Sequence, residues 1–181
     1  MDIALLVSLI PFPIVREMAV EFDINPHLIA AIIIQESNGN TCAIRFEPRW
    51  RYYWNTKYWA RLVGSSWNTE VTGQATSWGL MQVIGTVARE RGFTGWFPQL
   101  CQPETGIYYG AKVLSRKLTD YPNDHDAIAA YNAGSPRRWT PIRIAAYMKK
   151  YPKRSKPKLG DYVNQEYVDN VVAHLNELEN M

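Results

Sequence analysis

Apolar residues recur at helical spacing from Leu28 to Ile33, where Leu28, Ile29, Ile32 and Ile33 share one face. Asn25 is a good N-cap, and Pro26 at the first helical position loses no needed hydrogen bond. Asn38-Gly39-Asn40 supplies the stop, so the pattern predicts a helix over 26–37. Glu36 continues the apolar stripe at the helix C-terminus. Burial and the negative end of the helix dipole both oppose its charge, and both raise its pKa. That is what a general acid near neutral pH requires. Most glutamates at a helix end instead face solvent or pair with an arginine.

The remaining pattern is also mostly helical. An apolar run, Ile3 to Ile10, reads as a core segment leading into a helix at Ile14 to Phe22. The stretch from Cys42 to Trp54 lacks a helical period and alternates near Ile44 to Glu47, which predicts extended chain. Leu80-Met81-Gln82 reads as a helix start after a Gly79 turn, running to Arg91-Gly92. Pro103 opens a helix carrying Ile107, Gly110, Ala111, Leu114 and Leu118. Further helices follow at Asp126 to Ala133, ended by Gly134, at Ile142 to Tyr151, and at Asp161 to Leu178. The last presents Tyr167, Val168, Val171, Val172, Leu175 and Leu178 on one face. The expected fold is mainly α: a compact helical domain with at most a small β-hairpin near residues 42–75. One domain over 1–181 is the natural organisation for this length.

Composition adds three points. Residues 50–78 hold five of the seven tryptophans, plus Tyr52, Tyr53 and Tyr58, interleaved with amides and hydroxyls. Such a segment suits sugar stacking, base stacking or core packing alike. The net charge is only +3, but Arg137 to Lys158 carries nine basic residues and no acid, which can attract an anionic polymer. Cys42 and Cys101 can pair or stay free, and no His/Cys cluster suggests a metal or other cofactor. No apolar run reaches the roughly 20 residues of a membrane span, and no clear export signal opens the chain.

Four blocks stand in order: Gln35-Glu36-Ser37, Gly79-Leu80-Met81-Gln82, Ala130-Tyr131-Asn132-Ala133-Gly134, and Tyr167-Val168. Together they resemble the soluble (SLT-type) lytic transglycosylases of the lysozyme-like superfamily. The small format is similar to that of a phage or prophage endolysin. The resemblance implies cleavage of the β-1,4 bond between N-acetylmuramic acid and N-acetylglucosamine in peptidoglycan, leaving a 1,6-anhydro end. It implies that Glu36 acts as acid and then base. Ser37 would polarise the reacting sugar, Met81 and Gln82 would line the groove, and Tyr131 and Asn132 would flank the scissile bond. Tyr167 would point its hydroxyl at Glu36, as the core-facing position of Tyr167 in the period allows.

Two departures stand out. The aromatic segment separates Glu36 from Gly79 more widely than is usual in the family, and Trp78 stands where a small residue is usual. Glu47 and Glu70 lie in that insertion, and either would turn the enzyme into an inverting muramidase of the goose-lysozyme kind. A non-catalytic wall-binding module is the reading from another class. The expected partners are peptidoglycan glycan strands, with an anionic envelope polymer at Arg137–Lys158, and neither nucleic acid nor stable membrane insertion. A monomer is expected, working in the periplasm or cell wall and released from the cytoplasm by a route other than a signal peptide.

Overall fold

The computed structural model describes residues 3–181. Its centre is the predicted helix, α3 (Pro26–Ser37). The Asn25 side chain accepts from the His27 N–H, and Asn38 closes the other end in the left-handed conformation, φ 50°. The expected stripe is in fact a full circumference, because every residue from Leu28 to Ile34 is buried. Neighbouring elements enclose α3 on all sides, as befits a helix apolar all round.

Before it come α1 (Ile3–Ser8) and α2 (Phe12–Phe22). In the apolar N-terminal run, Leu6 and Ile10 enter the core while Leu5 and Leu9 stay half exposed. After it come β1 (Ile44–Phe46), α4 (Thr56–Leu62) and α5 (Trp67–Gln74). Then follow β2 (Thr76–Trp78), β3 (Val83–Ile84) and α6 (Gly85–Glu90). A 3-10 turn (Phe97–Cys101) precedes α7 (Pro103–Asp120), α8 (Asp124–Ala133), α9 (Pro141–Lys150) and α10 (Gln165–Glu179). The fold is mainly α and lysozyme-like, as expected. No helix among the described residues is long and apolar enough to cross a membrane.

The small sheet has three antiparallel strands in the order β1-β2-β3, with Ile44 opposite Trp78 and Ser77 opposite Ile84. Its second and third strands lie beyond residue 75. Leu80-Met81-Gln82 is therefore not a helix start but part of the turn between them, and the helix begins only at Gly85. Gly79 allows that turn. Its φ is +69°, and a Cβ there would run into the Leu100 carbonyl.

Helix α10 packs antiparallel on α3. At one end the Asn25 side chain donates to Glu179, 2.9 Å, and the other end brings Glu36 to Tyr167. Helices α2, α7 and α8 complete the core. Helix α10 starts at Gln165 rather than Asp161, because Tyr162 is taken by a bridge to Arg138. The segment between β1 and β2 is a folded unit. Gln74 binds both the N–H and the carbonyl of Trp54, at 2.8 Å each, as a strand partner would. Cys42 and Cys101 are both free thiols.

Candidate active site

Glu36 sits in the last turn of α3, where the helix runs from the core into the wall of a cleft of about 760 Å³. Its Oε1 accepts a hydrogen bond from the Tyr167 hydroxyl at 2.8 Å. Burial pushes the Glu36 pKa above the ordinary carboxylate value. The Tyr167 hydrogen bond and the nearby Arg45 charge pull it back in part. The carboxyl is thus held between two opposing influences, which is how a group is set to give and take a proton.

Two tyrosines stand with it. Tyr131 closes α8 and donates its hydroxyl to the Met81 carbonyl at 2.8 Å. Burial first, and the Glu36 charge second, push both Tyr131 and Tyr167 well above the usual phenol range. Both therefore remain neutral donors across the working pH range.

Gln82 lines the same cleft, in the left-handed conformation at φ 47°. Its side-chain amide donates to the Ala43 and Gly79 carbonyls at 2.9 Å each, leaving Oε1 as its uncommitted atom. Asn132, exposed on the cleft wall, accepts from the Asn164 amide at 3.0 Å and keeps its own N–H groups for a ligand. The structure thus brings Glu36, Gln82, Tyr131 and Asn132 to one cleft, with Tyr167 behind the acid.

Two expected groove residues take other places. The Ser37 hydroxyl turns back to the Ile33 carbonyl, 3.0 Å, as serines in helices do, and does not line the cleft. The Met81 side chain is fully buried in the core, against Gly110, so only its carbonyl acts, through Tyr131.

The insertion contributes more than its composition indicated. Arg45, Glu47, Trp50 and Tyr52 all line the cleft. Arg45 is the neighbour of Glu36 that the sequence reading missed. The alternation along β1 was the available signal, since it puts Arg45 and Glu47 on one side, where they pair at 2.6 Å. Glu70 is elsewhere. It is 1% exposed and forms a two-pronged pair with fully buried Arg89, both contacts at 2.9 Å. Arg89 also bonds the Phe93 and Gly95 carbonyls and lies against the rings of Trp59, Phe93 and Phe97. This pair anchors α5 to α6 and leaves Glu70 no route to substrate. Trp78 is likewise an anchor: its indole N–H bonds the Gly73 carbonyl and its ring stacks on Phe97. Among the described residues, no group of three or more His, Cys, Asp or Glu side chains is placed to hold a metal.

A helical domain with a partly buried acid at the wall of a cleft, backed by tyrosine, is the arrangement of a lysozyme-like glycan-cleaving enzyme. The family model for the transglycosylase SLT domain matches residues 58–153, more than half of the chain, and the chain belongs to that family. Its activity is therefore of the lytic transglycosylase type, on peptidoglycan. The matched stretch contains Gln82, Tyr131 and Asn132, whereas Glu36 and Tyr167 lie on either side of it. No curated protein and no solved structure matches the chain significantly.

Proposed function

We propose that Glu36 works as the sole catalytic carboxyl, first as acid and then as base, on the bond between N-acetylmuramic acid and N-acetylglucosamine. Protonated Glu36 gives its proton to the glycosidic oxygen, and the C1–O4 bond breaks. The substrate's acetamido group supports the oxocarbenium-like centre. The Glu36 carboxylate then takes the proton from the C6 hydroxyl as that oxygen bonds C1. The product is a 1,6-anhydro end, no water is consumed, and Glu36 returns protonated. Tyr167 holds the carboxyl by donating in both protonation states. Asn132 and Gln82 offer the amide N–H and the carbonyl that sugar acetamido and hydroxyl groups require, and Trp50 and Tyr52 offer ring faces for the sugars.

The observation that carries this reading is the Tyr167–Glu36 hydrogen bond at the cleft wall, on a carboxyl whose pKa burial raises. Mass spectrometry of digested peptidoglycan tests it. Anhydro-ended fragments, lighter by one water, are expected, and reducing ends as the main product would overturn it.

One second reading has a specific observation in its favour. Glu47 shares the cleft with Glu36, so of the two carboxylates in the insertion it is the one able to position a water for an inverting muramidase. Its close pairing with Arg45 argues against that role, because the arginine already occupies the carboxylate. The basic stretch Arg137–Lys158 fits attraction to an anionic envelope polymer, with the enzyme working on peptidoglycan in the periplasm or cell wall.

A further inference from the structure

The cleft is basic at one end. Beyond Asn132 its wall continues along the end of α8, through Ala133, Gly134 and Ser135. Two cations from different elements are fastened there side by side. Lys117, from α7, bonds the Gly134 carbonyl at 2.7 Å, and Arg137 bonds the adjacent Ala133 carbonyl at 2.9 Å. Arg91, just past α6, lines the same end. Its guanidinium has no hydrogen-bond or ion-pair partner among the described residues, and its Nε is wholly out of solvent.

Capping explains part of this, because cations suit the negative end of a helix. It does not explain why a third cation joins them. None of the three lies within ion-pair distance of an acid, although Glu90 lines the same cleft. Two of them, Arg91 and Lys117, also oppose one another. The Lys117 pKa is lowered, first by burial and then by the Arg91 charge. Glu90 and Asp120 offset this, with Asp120 held by Arg116. Like charges gathered in a concave wall without a direct ion pair, and with only Glu90 and Asp120 near enough to offset them, become more favourable when an anion enters.

The substrate class narrows the anion. The sugar chain of peptidoglycan is uncharged where its amines are acetylated and its lactyl groups carry peptides. Its charge lies on the free carboxylates of those peptide stems. Glu36, Asn132 and the three cations all line this one cleft, so a strand cleaved at Glu36 shares it with the basic groups.

We propose that Arg91, Lys117 and Arg137 form an anion subsite that takes a free carboxylate of the peptide stem on the muramic acid at the cleavage site. The proposal rests on the placement of the scissile sugar at Glu36. It makes the enzyme selective for strands that carry acidic stems, a property the sugar-binding side chains do not confer.

The test compares soluble, uncross-linked glycan strands with free stem carboxylates against the same strands after conversion of those carboxylates to amides. The ratio of kcat/KM on the two substrates is the readout. Wild-type protein is expected to favour the acidic strands about tenfold or more. Lys117→Gln and Arg137→Gln should each shrink that ratio about fivefold, between the effects of an exposed ion pair and a desolvated one. Lys117→Arg should restore most of it. Equal rates of the wild type on both substrates would overturn the proposal. So would variants that slow both substrates in parallel, because a merely structural cap would do that. The end group of the product is scored in the same digests, so failure of the Glu36 reading shows there and leaves the ratio to speak for the subsite.

Discussion

The Tyr167 hydroxyl donates to Glu36 Oε1 at 2.8 Å across a separation of 131 residues. Antiparallel packing of α3 and α10 makes this contact. The end of one helix is set beside the start of the other, and the Asn25–Glu179 hydrogen bond closes the opposite end. The contact gives Glu36 a fixed direction and offsets part of its desolvation.

Glu36→Gln should lower peptidoglycan cleavage by about 10²-fold or more, the order general acid–base catalysis contributes. The same variant should be more heat-stable than wild type at pH 7–8 and no more stable at pH 4. The sign follows from linkage. A carboxyl whose folded pKa is raised favours the fold while both states are protonated. That support is lost as pH climbs from the ordinary value toward the raised one. Melting curves at the two pH values check this, and a neutral-pH loss of stability would count against a desolvated Glu36.

Tyr167→Phe should cut kcat about ten- to a hundredfold with a smaller change in KM, since the hydroxyl touches the acid rather than the sugar. It removes a hydrogen bond that lowers the Glu36 pKa. The alkaline limb of the pH–rate profile, where the acid loses its proton, should therefore move to higher pH. A limb that moves to lower pH would show that Tyr167 acts otherwise.

Glu47 and Glu70 should part company. Glu47→Gln should still yield anhydro ends, with a loss of activity smaller than that of Glu36→Gln. A switch in product, or a loss as large, would favour the water-positioning role. Arg89→Met leaves buried Glu70 without its ion-pair partner, with only the Gln74 amide still bonding it, and should cost about 3–5 kcal/mol of stability. Denaturant melts measure that cost.

Gly79→Ala should destabilise by about 2 kcal/mol or more. It strains a backbone at φ +69° and drives a methyl into the Leu100 carbonyl. Because Gly79 also holds the Gln82 amide, activity of the surviving folded protein should fall as well.

Whole-cell lysis should weaken as salt rises from about 50 to 300 mM, where the Debye length shortens from roughly 14 to 6 Å. Replacing Lys149, Lys150, Lys153 and Arg154 with Gln should flatten that dependence. Unchanged salt sensitivity in the variant would leave this stretch a solvated surface.

Local chemistry alone specified a good deal. The Asn25 cap, Pro26 and the Asn38-Gly39 stop bound α3, and Gly134 ends α8, because caps and left-handed residues act within a few positions. Helical period put Tyr167 on the inner face of α10 and Glu36 at the end of a buried segment. Ordered short blocks then suggested the family. Tertiary packing decided the rest. The turn at Leu80-Met81-Gln82 looked helical because its strands are two or three residues long, too short to show a period. Ser37 and Met81 looked like groove residues because a linear motif does not say which way a side chain turns. Glu70 and Glu47 were equivalent on paper, and only the meeting of α5 with α6 buried one against Arg89 while β1 carried the other to the cleft. The convergence of Arg91, Lys117 and Arg137 was equally illegible, since the three come from separate elements. Charge is counted along a chain, but it acts through space.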